Sequence, residues 1–168
     1  MSRILVVYST RAGTTAHVAT ILSKGLRAHG HEVTVASAST DPAPDGFDYF
    51  VVGSSIIANS WNAEAIAWLQ QHRAVIEGRT ALFNVCLTAA SPEHREEALA
   101  LNTKAAGIVE PLAMETFAGR YEPQKVSWWR RLLMRAIQQP PQDHLAPAAI
   151  TRWTAVLSDR FTDTSEEP

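Results

Sequence analysis

Short apolar runs alternate along the chain with stretches in which apolar residues recur every third or fourth position. Ile4 to Tyr8 is a continuous run rich in β-branched residues, the pattern of a strand buried on both faces. Val18, Leu22 and Leu26 then share one helical face over Thr14 to His29, with Gly30 placed as the C-cap. His31 to Ser37 alternates Val33 with Val35 and predicts a second strand. "TDPAPDG", Thr40 to Gly46, predicts a loop. Tyr49 to Val52 predicts a third strand ending at Gly53, and Asn62 to His72 a helix carrying Ala63, Ile66, Ala67 and Leu69. Thr80 to Val85 is a fourth apolar strand. The stretch "SPEHREEALALNTKAAG" follows, opening as a helix with Ser91 as N-cap and Pro92 at the first helical position. Pro111 to Phe117 gives a fifth strand and Ala148 to Phe161 a final helix.

Strands separated by helices imply an α/β fold, a parallel sheet covered on both faces, because each parallel crossover must carry a helix over the sheet. With 168 residues the expectation is one domain, 1–168. One segment breaks the alternation: 119–147 is longer than a usual connection and contains "VSWWRRLLMRAIQQ", a predicted extra amphipathic helix. On a helical wheel Val126, Trp129, Leu133 and Ile137 share a face, Arg131 and Arg135 lie opposite, and Arg130 sits at the edge.

Composition narrows the function. A formal net charge of -2 argues against a nucleic-acid binder, which would carry a basic stripe. A lone Cys86 cannot form an internal disulfide, the first apolar run, Ile4 to Tyr8, is too short to read as a signal peptide, and no run approaches a membrane span, so a cytoplasmic location is expected. His29 and His31 flank Gly30 without a partner at ligand spacing; no metal site is expected, and both are read as solvent-facing. No Ser-His-Asp arrangement can be read from the order, and catalytic residues stay unassigned.

Candidate chemistry begins at Ser9. In an open parallel sheet ligands bind beyond the carboxyl ends of the strands. Ser9, Thr10, Gly13, Thr14 and Thr15 lie where the first strand ends and the first helix begins. Free N–H groups, the helix dipole and four hydroxyls together suit a phosphate, and Gly13 permits close backbone approach. Only one glycine is present, so this is no dinucleotide fingerprint, and a Walker loop would need Gly-Lys-Ser/Thr. Arg11 either adds charge or points to solvent.

"YSTRAGTT" followed by a helix resembles the phosphate loop of flavodoxins. "YFVVGSSI" and "NVCLTAASPE" resemble that family's two ring-flanking loops. The resemblance implies a flavodoxin-like three-layer sandwich, strand order 2-1-3-4-5, with FMN as cofactor. Carried over by position, it implies that Ser9, Thr10, Arg11, Gly13, Thr14 and Thr15 cradle the phosphate. Ser54, Ser55, Ile56, Ile57 and Ala58 would line one side of the ring, and Val85, Cys86, Leu87, Thr88 and Ala89 the other. Gly119, Arg120 and Tyr121 would close the site or meet substrate.

Within that family the Ser-Thr-Arg loop and the aromatic, basic insert "GRYEPQKVSWWRRLLMRAI" are similar to the menaquinone-dependent protoporphyrinogen dehydrogenases. That resemblance implies a quinone-linked dehydrogenase acting on protoporphyrinogen IX or a similar reduced substrate. Those enzymes tend to carry an aromatic and a Gly soon after the Ser-Ile pair, whereas here "SSIIANSW" leaves ring stacking to Trp61 or absent. For a one-electron carrier the resemblance to flavodoxins implies a peptide beside the ring that can turn toward it, easiest at Gly. No Gly lies between Ser54 and Trp61, and Asn59 alone tolerates the conformation, which tilts the reading to two-electron chemistry. The alternatives are an electron carrier for a redox partner protein and an FMN-free interaction protein. The insert 126–137 can rest peripherally on the inner face of a membrane, cover the flavin, or pack with its arginines in water. Oligomeric state stays open.

Overall fold

The computed structural model describes residues 1–121 and 142–163. The predicted helix at 126–137 lies outside the described residues. Five parallel strands run in the order β2-β1-β3-β5-β6: β1 (Arg3–Ser9), β2 (Glu32–Ser37), β3 (Tyr49–Ile57), β5 (Thr80–Cys86) and β6 (Pro111–Ala118). Counting only these strands, this is the expected 2-1-3-4-5 sheet. The pattern missed β4 (Ser60–Trp61), antiparallel to β3, and the β7–β8 ladder of Arg120–Tyr121 with Gln142–Asp143. Two-residue strands are too short to leave a period in the sequence.

β1 shows why the sheet sits between two layers. Ile4 and Val6 face α1 (Thr14–Ala28) and the C-terminal helix α5 (Pro147–Asp163), meeting Val18, Leu22, Leu26, Ile150, Trp153 and Leu157. Leu5 and Val7 face the other way, onto Ala65, Trp68 and Leu69 of α2 (Ala63–Ile76). A strand buried on both faces must be apolar throughout, as this one is. α1 closes with the Gly30 N–H donating to the Arg27 carbonyl and the His31 N–H to the Leu26 carbonyl, a Schellman end at the predicted Gly30.

Two expectations are corrected. The helix predicted from Ser91 is broken: a 3-10 turn (Pro92–His94) leads into α3 (Arg95–Ala100) and then α4 (Thr103–Ala106). Ser91 makes no side-chain cap, and Asn102 sends its side chain into the sheet rather than capping α4. His31, read as solvent-facing, is only 8% exposed. Its Nδ1 accepts from the Ser2 N–H at 3.3 Å, and its Nε2 lies 2.9 Å from Ser158 Oγ.

That burial gives a pH dependence. Desolvation first, then the N-terminal ammonium and His29, hold His31 below its usual 6.5. Its folded-state affinity for protons is therefore lower than in the unfolded chain, so the contribution is present above 6.5 and is lost as pH falls below it. His31→Asn is expected to flatten the loss of Tm that the wild type shows between about pH 7.5 and 5.5. Thermal melts across that range check it; parallel curves would remove His31 as a source of the slope.

Candidate functional site

Register brings the predicted loops together. Ser9 pairs with Ser54, Ser55 with Val85, and Cys86 with Ala118, so β1, β3, β5 and β6 finish side by side. Beyond Ser9 the chain turns through Thr10 to Gly13, where the Gly13 N–H donates to Thr10 Oγ1 at 2.9 Å. Gly13 takes φ +89, a conformation that glycine adopts freely.

The start of α1 is built without its own counterion. No side chain caps it, and its first turn has no acidic residue. The first N–H groups of a helix have no intrahelical acceptor, so this end favours an external anion. Thr15, fully buried, sits in the first turn, and its Oγ1 has no hydrogen-bond partner. Among the described residues it is the one buried side-chain N or O atom left so. Such a group costs about 1–3 kcal/mol unless a partner arrives. Arg11 is committed elsewhere: Nη2 lies 2.9 and 3.0 Å from the two Glu64 carboxylate oxygens, tying the loop to the first turn of α2.

The second loop is a β-hairpin. β3 runs to Ile57, four residues past the expected end at Gly53, and Ile56 and Ile57 pair with Trp61 and Ser60. Ala58 and Asn59 form the two-residue turn with φ of 49° and 58°, the signature of a type I′ turn. Asn59 tolerates this region; Ala58, the second residue there, was not foreseen, since a Cβ disfavours it. The hairpin base is locked. The Asn62 N–H donates to Ser54 Oγ at 2.8 Å, and Asn62 Nδ2 donates to Ser55 Oγ at 2.8 Å. Ser54 Oγ–H donates onward to the Ser55 carbonyl.

Trp61 is not free to stack on a ring. It is 5% exposed, lies in the α2-side core, and donates Nε1–H to Asn102 Oδ1 at 3.2 Å. The third loop leaves β5 at Leu87 and makes a 3-10 turn over Thr88–Ala90, all half-buried. Val85 packs in the α5-side core, and Cys86 Sγ faces Thr116 Oγ1 at 3.9 Å, so neither side chain belongs to the loop surface. Gly119 is tied in through its N–H to the Cys86 carbonyl at 3.0 Å, and Arg120 and Tyr121 follow in the β7 ladder. Sequence reasoning missed Asn62, Glu64, Asn84 and Asn102. A polar Asn84 inside the apolar run "ALFNVC" was the one available signal.

Residues 5–145 match the family model described as a flavodoxin domain. The chain belongs to the flavodoxin family. The fold matches oxidised Flavodoxin 1 from Bacillus cereus at TM-score 0.61 and 12% identity, covering 96% of this chain and 98% of that one. A short-chain flavodoxin associated with a non-canonical PDU bacterial microcompartment gives 0.63 and 14%, with 99% and 100% covered. Rubredoxin oxygen:oxidoreductase from Desulfovibrio gigas gives 0.51 and 12%; 94% of this chain covers 37% of that larger protein. A comparison with curated proteins found no match.

FMN is the cofactor of this flavodoxin domain, and the uncapped α1 with its orphaned Thr15 hydroxyl fits a phosphate. Among the described residues no cluster of His, Cys, Asp or Glu could hold a metal, and no helix is long and apolar enough to cross a membrane.

Proposed function

We propose that this flavodoxin-domain protein is an FMN-dependent oxidoreductase working in two-electron steps, with a quinone as acceptor. Ser9, Thr10, Gly13, Thr14 and Thr15 hold the phosphate. Ile56 to Ala58 and Leu87 to Ala89 flank the ring, with Gly119 behind the second loop. Bound FMN supplies the redox chemistry; the chain's residues bind it, orient it and shape its access.

The observation that carries the two-electron reading is the locked, glycine-free hairpin. Turning a peptide beside the ring would require moving a turn already at positive φ and held at its base by Asn62 and by Trp61. Rigid framing favours reduction without a separately stabilised intermediate stage. Protoporphyrinogen IX as donor rests on the resemblance of the Ser-Thr-Arg loop and of the basic, Trp-bearing sequence 119–137, and 126–137 within it is our proposed contact with the membrane that carries the quinone. A second reading, an electron carrier for a redox partner protein, is supported by the whole-length match to free-standing flavodoxins.

An anaerobic reductive titration of the FMN-loaded protein separates them. One resolved step is the expected result, followed by protoporphyrinogen-dependent reduction of a menaquinone analogue. Two well-separated steps would replace the dehydrogenase with the carrier. Failure to load FMN would sink both readings.

The clasp between Arg11 and Glu64 yields a smaller effect. Glu64→Gln frees the guanidinium and removes a negative charge near the phosphate. FMN is expected to bind about two- to fivefold tighter at low salt, the gain shrinking as salt screens it, because the pair is half exposed. Fluorescence titrations at two ionic strengths check this; weaker binding would mean that the clasp shapes the loop and the charge matters less.

A further inference from the structure

Behind the two ring loops runs a buried polar network that phosphate binding does not use. Asn102 Oδ1 accepts from Trp61 Nε1–H at 3.2 Å and from Asn84 Nδ2–H at 2.9 Å. Its own Nδ2–H donates to the Glu115 carbonyl at 3.1 Å. Asn84 Nδ2–H also donates to the Ala98 carbonyl at 2.8 Å, and Asn84 Oδ1 accepts from Thr116 Oγ1–H at 2.7 Å. Both asparagines are fully buried. Both N–H groups of the Asn84 amide are donated, and both lone pairs of Asn102 Oδ1 are taken.

The placement of these bonds matters more than their number. Asn84 lies two residues before Cys86, where the second ring loop leaves β5. Trp61 is paired with Ile56 across the hairpin, so holding Trp61 holds the strand that leads into Ala58 and Asn59. One oxygen therefore receives a donor from the first ring loop and another from the strand under the second. A connected network in a low-dielectric interior resists displacement, since moving one member leaves others unpaired.

We propose that Asn102 is a positioning residue: its Oδ1 is the shared anchor that fixes the first ring loop against the second and so sets how the loop backbone meets the flavin. The inference rests on the reading of 54–58 and 85–89 as the ring loops. It assigns no chemistry to Asn102, which acts through Trp61 and Asn84.

The test uses the full chain carrying Trp61→Phe or Asn102→Leu. Trp61→Phe removes the donor to Asn102 and also shortens a buried ring, whereas Asn102→Leu removes the acceptor and leaves the indole whole, so a change shared by both variants is the mark of the lost bond. In the FMN-free protein, amide hydrogen exchange over 56–61 should quicken about fivefold, the size expected for one buried hydrogen bond, with β1 and α1 amides unchanged. In the FMN-loaded protein the reduction potential should shift, while FMN affinity stays within about threefold because the phosphate grip is untouched. Asn102→Leu should displace both readouts in the same direction and further; if it does not fold, Trp61→Phe decides.

Unchanged exchange in Trp61→Phe would show that the bond does not hold the hairpin and would overturn the proposal. Faster exchange with an unchanged potential would also overturn it, leaving the network as support for packing alone. Failure of the two-electron reading is seen in the wild type by itself, as two resolved steps. The anchor is judged on the difference between wild type and variant.

Discussion

Thr15→Val is expected to make the FMN-free protein more stable and its grip on FMN weaker. The two signs follow from one atom. Thr15 Oγ1 is buried at the start of α1 with no partner, so the FMN-free fold carries an unsatisfied hydroxyl. Valine keeps the shape and branching and removes the oxygen. Relief of the unmet hydrogen bond should raise stability by about 1 kcal/mol, read as a higher urea midpoint. A hydrogen bond to a charged phosphate is worth about 1.5–3 kcal/mol, so losing it should raise the FMN Kd roughly 10- to 150-fold. Riboflavin, which lacks the phosphate, is the control, and its weaker binding should be the same in both proteins. A simple loss of packing would instead lower FMN-free stability and weaken FMN and riboflavin alike. That outcome would remove Thr15 from the phosphate cradle.

Local signals explain why some of this could be read from the chain. The β1–α1 junction announces itself: an apolar strand ends, hydroxyls and a glycine follow, and a helix begins with no acidic first turn. All of those are nearest-neighbour properties, and they coincide with the residues found at the helix start. The helix end at Gly30 is local in the same way. His31 is the contrary case. A histidine beside a C-cap looks exposed, and it is buried because α5, more than a hundred residues later, brings Ser158 against it. The broken helix after Ser91 has a similar cause. Its sequence can propagate, but Asn102 finds better partners in Asn84 and the Glu115 carbonyl than in a helix cap. The ring hairpin was half legible. Asn59 marked a turn, while Ala58 at φ 49° is a conformation that its type argues against. It is held there by the Asn62, Ser54, Ser55 and Trp61 contacts around it, none visible without the fold.

The sequence pattern ends the third strand at Gly53. It is instead the middle of β3, and Gly53→Ala is expected to be the most damaging single-methyl change in the sheet. Gly53 is paired with Phe83 on β5. A Cβ built at position 53 would stand 2.0, 2.2 and 2.4 Å from three atoms of the Phe83 ring. The ring cannot simply retreat: it is fully buried, with Phe117 at 6.0 Å and Trp153 at 6.2 Å in edge-on contact. Overpacking of this kind should cost about 3 kcal/mol, a large share of a total of roughly 5–15 kcal/mol, and appear as a lower urea midpoint. Phe83→Leu combined with Gly53→Ala should recover part of the loss, with a coupling of about 1–3 kcal/mol between the two positions. A wild-type midpoint for Gly53→Ala would mean that the Phe83 ring has another place to go. Absence of coupling would mean that the damage comes from the backbone instead. The clash is also close enough to Ser54, whose hydroxyl anchors Asn62, that any variant that folds should lose FMN affinity together with stability.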